Sequence, residues 1–357
     1  MAAQAIDTGL RSARPSIQIA GQDQPVLAGG LLGLCVTENT IGLYRCEATF
    51  GNWGTKDNKT DFLYFDRRTL DFGKEFLIKL GNDTLFEGRI MALEASFPEG
   101  QAPEITVLVE DRFQDLRMTR RTRTFADVSD ADVFRQIASD HGLSPDVDLN
   151  GPTYKVLAQV NQSDLAFLRE RARSIDAEIW MEGKTLHAKA RANRTNGTLQ
   201  MTHGNKLREF TATADLANQR TSVQVSGWDI ASKSAIKHEA EESAINGEFG
   251  SDTSGISILS SALGTRKESV AHTVPLTSQE AQFEAEAFFK RCARRFVTAC
   301  GIAETDARLR VGTYVDLQGL GPLFSGKYYV TEVKHLFDSA KGIRTQFMAE
   351  RPGIGKT

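Results

Sequence analysis

Phe76 to Glu94 reads FLIKLGNDTLFEGRIMALE, and Tyr314 to Glu332 reads YVDLQGLGPLFSGKYYVTE. The two stretches align without a gap. Gly81 falls on Gly319, Leu85-Phe86 on Leu323-Phe324, Gly88 on Gly326 and Glu94 on Glu332. Phe76/Tyr314, Leu77/Val315 and Arg89/Lys327 are conservative partners. Each stretch reads as a hairpin: a strand, a turn containing glycine, then Leu-Phe-x-Gly-basic opening the return strand. Glycine inside a strand marks a bulge, a sharp bend or a close backbone approach, all frequent at the corners of small barrels. Gly88 and Gly326 are therefore candidate structural bends. The alternative is two unrelated hairpins sharing turn chemistry. The common glycine positions favour a duplication, with one β-barrel near each end of the chain.

Working outward, residues 15–118 read as the first barrel. Ser16–Ala20 alternates, Phe76, Ile78 and Leu80 alternate with Glu75 and Lys79, and so do Ile105, Val107 and Val109 with their neighbours. The period changes after Leu116. Ser129-x-x-Asp132 has the form of a capping box, followed at helical spacing by Val133, Phe134, Ile137 and Ala138, with Gly142 as the stop. Ser163 opens a second helix whose inward stripe is Leu165, Leu168, Ala172 and Ile175. Glu178–Met181 and Thr185–Ala188 then form a hairpin across Glu182-Gly183-Lys184. Residues 119–204 are thus an α+β insertion. Residues 205–238 and 297–352 read as the second barrel, interrupted by 239–296, a Ser-, Gly- and Glu-rich excursion loop and a helix from Ser278. Residues 1–14 read as a flexible N-terminus and 353–357 as a tail. The fold class is mainly β: two related antiparallel barrels flanking an α+β domain.

Composition excludes several functions. Over 357 residues the formal net charge is -3, which gives no broad pull toward nucleic acid or anionic lipid. No stretch approaches the ~20 apolar residues of a membrane helix. The N-terminus carries Asp7, Arg11 and Arg14 and no apolar core, so no secretory leader is expected. The four cysteines (Cys35, Cys46, Cys292, Cys300) lack zinc spacing and are expected to be reduced and buried. Gly353-Ile-Gly-Lys-Thr357 mimics the end of a phosphate loop, but Glu350 occupies the position of its first glycine. Histidines 141, 187, 203, 238, 272 and 335 are scattered, and Glu178/Glu182 is too generic for a glycosidase pair. No catalytic, cofactor-binding or metal site is expected. One charge feature stands out: Arg112, Arg117, Arg120, Arg121 and Arg123, opposed only by Asp115. It reads as a solvated linker or as an intersubunit strip, with Arg120, Arg121 and Arg123 as interface candidates.

Three stretches resemble the phage late control gene D family, the baseplate hub proteins of contractile phage tails and related injection systems. They also resemble the hub half of type VI secretion valine-glycine-repeat spike proteins. These are Leu85–Ile90 with Val107–Arg112 and Leu116; Gln159–Arg169 running on to Ile179-Trp180 and Gly183–Leu186; and Leu309–Thr313, Phe324–Tyr328 and Val333–His335. The resemblance implies a structural, non-enzymatic hub: a homotrimer whose six barrels form a pseudo-sixfold ring between a hexameric tail tube and a trimeric spike. It further implies other baseplate proteins as partners, synthesis in the bacterial cytoplasm and incorporation into a tail-like particle. Because the second barrel is followed closely by Thr357, the spike is expected to be a separate polypeptide. The rival readings are a tail-tip cell-wall hydrolase and a two-barrel carbohydrate-binding protein.

Overall fold

Alternating apolar positions build the first set of strands. Ile17 and Ile19, Phe76 and Ile78, and Ile105, Val107 and Val109 are all buried, while the residues between them are half-buried or exposed. The computed structural model describes residues 14–230, 232–270 and 274–356. The expected N-terminal tail up to Ala13, and Thr357, lie outside the described residues. The chain is mainly β and divides into two compact units. One comprises residues up to Val36, Cys46–Val109 and His335–Arg344; the other comprises Thr37–Arg45, Glu110–Lys334 and Thr345 onward. Among the described residues, no helix is long and apolar enough to cross a membrane.

In the first unit the strands lie in the order Leu31–Asn39, Arg45–Gly51, Glu104–Glu110, Asp83–Ser96, Glu75–Leu80, Ser16–Ile19, Gln22–Asp23. A separate hairpin, Trp53–Lys56 with Lys59–Phe62, carries Asp57 and Asn58 at its tip, both with positive φ.

The second unit holds three cores. The first is the α+β insertion. Ser129 caps helix Asp130–Asp140 in a full capping box with Asp132, and Ser163 caps helix Asp164–Ser174. Such caps contribute about 1 kcal/mol each. Val133, Phe134, Ile137, Leu165 and Leu168 pack beneath them against the sheet Ser144–Asp148, Thr185–Ala190, Ala177–Glu182. The second core lies under Leu207–Ala214, Val297–Glu304, Gly342–Arg351 and Gly326–Asp338, with Tyr314–Gln318 and Thr198–Thr202 continuing from the last of these.

The third core corrects an expectation. Residues 239–270 do not wander over the surface. Ser234–Glu241 and Lys267–Val270 flank Ser222–Asp229 in a three-stranded sheet, and Gly255–Leu263 is a helix capped by Ser254. Residues 222–238, expected to continue the second barrel, therefore lie in a sheet separate from that of Leu207–Ala214. The reason is burial: Val223, Val225, Ile236 and Ala240 face Ala281, Ala285 and Phe289 of helix Ser278–Arg294. The cysteines also differ from expectation. None of the four forms a disulfide, but only Cys46 is buried: Cys35 and Cys292 are half-buried and Cys300 is exposed on its strand.

The repeated stretches are both antiparallel hairpins, in different registers. Phe76 pairs with Gly88, whereas Tyr314, its counterpart, pairs with Tyr329, and Gly326 pairs with Leu317. Leu85 and Phe86 are buried in a strand, but Leu323 and Phe324 sit on the short helix Gly321–Phe324. Pro322 supplies no amide hydrogen to a ladder, and Gly319 and Gly321 both take positive φ. The turn lengthens, and the return strand starts later.

Candidate assembly surfaces

Past the helical turn Phe113–Arg117 the chain enters a long two-stranded ribbon. Arg120–Ser129 pairs antiparallel with Thr153–Ser163, and among the described residues no further strand joins either outer edge. One face of the ribbon carries Phe125 and Leu157 into the core of the insertion. The other presents Thr122, Thr124, Ala126, Val156, Ala158 and Val160, all exposed. Val156 is 59% and Val160 63% exposed. An uncharged face of small and β-branched residues with open edges is a surface that another chain can cover.

The three candidate arginines lie on this ribbon, but their roles diverge. Arg123 donates to Asp140 and Asp164, each at 2.8 Å, and to Gln159, also at 2.8 Å, and it lies over the Phe125 ring. Arg121 approaches Asp164 at 3.3 Å, and Arg120 donates to the Asn161 carbonyl. Asp164 is 1% exposed and also bonds His141 at 2.8 Å. Burial pushes its carboxyl up, but His141, Gln159 and the two arginine charges outweigh that and hold it below the usual range. Arg112 and Arg117 pair with Asp115 and Glu110. The charge run is thus largely consumed within the chain by acids the sequence places up to 41 residues away.

The candidate glycines also part company. Gly88 sits inside a paired strand, and the irregularity in that ladder falls at Ile78/Lys79. Gly326 has φ +129, and a Cβ there would lie 2.8 Å from the Arg351 guanidinium. Arg351 is buried over the Tyr328 ring and donates to the carbonyls of Leu323 and Ser325.

Two features were not anticipated. In the first unit Trp53, Phe62, Phe65 and Phe97 form one ring cluster with centroids 5.0–6.1 Å apart, and Trp53 and Phe97 remain 46% and 63% exposed. Exposed Trp and Phe are favoured anchors for a partner. The density of aromatics from Trp53 to Phe72 was the available signal. In the second unit, Arg194 is 2% exposed. It donates to Glu178 at 2.9 Å and to the Tyr44 hydroxyl at 2.7 Å, and stacks 4.2 Å above Trp180. Tyr329 donates to the same Glu178. Burial alone would lower the Arg194 pKa, but Tyr44 and Glu178 hold it above its usual value. Glu178 is therefore a structural acid, and no local motif marked it.

Of the histidines, His187 bonds Asp146 at 2.7 Å, His335 is fully buried, and His272 lies outside the described residues. Among the described residues, no group of three or more His, Cys, Asp or Glu side chains is placed to hold a metal ion.

Residues 54–338 match the family described as the Alg8 N-terminal domain. The chain belongs to the Alg8 N-terminal domain family. The matching family is thus not the late control gene D family that the sequence resembles. No curated protein matches the chain. Among solved structures, this Alg8 N-terminal domain family member is similar to the 43 kDa tail protein of prophage MuSo2 from Shewanella oneidensis. The TM-score is 0.67 at 12% identity, covering 95% of this chain and 98% of that one. It is similar to the tail protein of Neisseria meningitidis MC58, with TM-score 0.68, 11% identity and coverage of 96% and 97%. A type VI secretion system component from E. coli, described as similar to T4 bacteriophage tail proteins, matches at TM-score 0.56 and 11% identity over 96% and 79%. The chain therefore shares the fold of tail proteins from end to end.

Proposed function

We propose that the chain is a structural hub subunit of a contractile tail or contractile injection machine. Three copies close a ring that adapts a hexameric tail tube on one side to a trimeric spike on the other. The observation that carries this reading is the end-to-end likeness to two tail proteins, over 95–96% of this chain and 97–98% of theirs. Two hairpins of related sequence per chain would supply six similar units in a trimer, which suits a sixfold tube while leaving true threefold symmetry for the spike. The uncharged ribbon face and the Trp53 cluster are surfaces for neighbouring copies, for the tube protein or for other baseplate proteins. The role is one of symmetry matching and force transmission, without turnover, metal or nucleotide.

Light scattering on the purified chain, together with electron microscopy of particles from a strain lacking its gene, tests this. A trimer and the loss of assembled particles are expected. A protein that stays monomeric, with particles assembling normally in its absence, refutes it.

A further inference from the structure

Helix Asp164–Ser174 ends beside the last turn of helix Ser278–Arg294, and the segment Thr40–Ile41 closes a cleft of about 450 Å³ next to them. Five arginines line it (Arg169, Arg173, Arg191, Arg291 and Arg294) against three acids, Glu170, Asp176 and Glu178. All three acids are already engaged. Asp176 is held by both terminal nitrogens of Arg294, Glu178 by Arg194 and Tyr329, and Glu170 by Gln162. Arg169 donates to the carbonyls of Ile41 and Gly42, and Arg191 pairs with Glu350.

Two guanidinium groups are left over. Among the described residues, neither Arg173 nor Arg291 has a carboxylate within ion-pair distance. Arg291 instead donates to the Arg173 carbonyl at 2.5 Å, which brings the two side chains to the same rim. Burial and the Arg173 charge push the Arg291 guanidinium below its ordinary pKa, with Asp176 opposing and Arg294 adding to the repulsion. A partly buried cation next to a like charge is an unmet electrostatic demand, and an anion is the group that meets it.

We propose that this cleft docks an extended acidic peptide segment of a partner protein, with a carboxylate seated between Arg173 and Arg291 and an aliphatic neighbour packed on Ile41. Charge complementarity favours that occupant: of the five lining arginines, Arg191 and Arg294 hold Glu350, Asp176 and Glu248 and Arg169 holds backbone carbonyls, which leaves Arg173 and Arg291 to face one or two carboxylates. Ile41 is 58% exposed at the rim and supplies the apolar contact. A nucleic-acid strand fits less well, because its unbroken charge would pass Glu170, Asp176 and Glu178. The inference goes beyond the hub reading and does not depend on it.

The test uses the full chain and two fluorescently labelled pentapeptides, acetyl-Leu-Glu-Leu-Glu-Leu-amide and its glutamine counterpart, followed by anisotropy at low salt. The acidic peptide is expected to saturate one site. Arg173→Gln with Arg291→Gln should weaken it at least roughly tenfold, since charge-assisted bonds to Arg carry the contact. Arg173→Glu, at an exposed position, should do the same and keeps the test open if the double variant fails to fold. Equal binding of both peptides, or undiminished binding by Arg173→Glu, overturns the proposal. So does displacement by inorganic phosphate below about 1 mM, which would make the cleft a small-anion site.

Discussion

Replacing Arg194 by Met tests whether the buried charge network holds the second unit together. Methionine keeps much of the side-chain length but removes the bonds to Glu178 and Tyr44 and the contact with Trp180. Glu178, 6% exposed, would keep only the Tyr329 hydroxyl and the more distant Arg191 at 3.9 Å. Stranding one partner of a buried pair costs about 3–5 kcal/mol. In a unit of this size each kcal/mol lowers Tm by about 2–4 °C, so a drop of roughly 6–20 °C is expected. Trp180 reports it directly. The chain has three tryptophans, and in a Trp53→Phe/Trp228→Phe background Trp180 is the remaining indole. Adding Glu178→Gln to Arg194→Met removes the stranded charge, and the double variant should be at least ~1 kcal/mol more stable than additivity requires. A single variant costing under about 1 kcal/mol, or strict additivity, would refute the network's role.

Other outcomes follow from the same geometry. Gly326→Ala should cost about 1–3 kcal/mol in urea unfolding, since φ +129 is strained for alanine and its Cβ meets Arg351; a neutral result removes Gly326 as a required bend. Arg123→Ala should cost about 2 kcal/mol and Arg120→Ala less than about 1 kcal/mol, because the first loses two acids and a glutamine and the second a single exposed contact. Asp164 has its folded pKa depressed, so its contribution is present above the unfolded value near 4 and is lost as pH falls through the folded one. Asp164→Asn should flatten that acid limb of the stability profile, measured by Tm against pH from 7 to 3. Asp111 has the opposite sign: burial raises its carboxyl to about 7, so its contribution is full below about 4 and declines as pH rises toward 7. Asp111→Ala should abolish that decline in the same Tm titration.

Much of the insertion was legible because its signals are local. A capping serine, a four-residue apolar step and a Glu-Gly-Lys turn each act within one helical turn or one hairpin, so Ser129, Ser163 and Glu182–Lys184 locate their elements. The hairpin duplication was legible as two hairpins but not as one register, because a single proline at 322 shifts the turn. The third core was missed for a compositional reason. Gly255–Leu263 (GISILSSAL) is poor in strong helix formers and holds its place through Ile256 and Leu259, a burial that only tertiary contacts create. The arginine partners were invisible for a geometric one: Arg194 meets Tyr44 across 150 residues and Tyr329 through Glu178.

Arginine is the recurrent joint of the second unit, and the physics of that choice bears on the force-transmitting role proposed above. Apolar surfaces can slide against each other at nearly constant buried area, so hydrophobic contact alone resists shear weakly. A guanidinium held at fixed bond lengths cannot. Arg294 binds both oxygens of Asp176 and both oxygens of Glu248, so helix Ser278–Arg294 cannot shift by an ångström along its axis without stretching four charge-assisted bonds. Arg171 fixes helix Asp164–Ser174 to Asp130 in the same bidentate way. Such pairs add little net stability, because desolvation offsets their attraction; what they supply is a single orientation. Three bidentate pairs, made by Arg294 and Arg171, therefore pin both helices whose ends frame the Arg173–Arg291 cleft. A docked acid there would meet Arg291 already tied to the Arg173 carbonyl, so only the exposed Arg173 side chain would have to be ordered on binding.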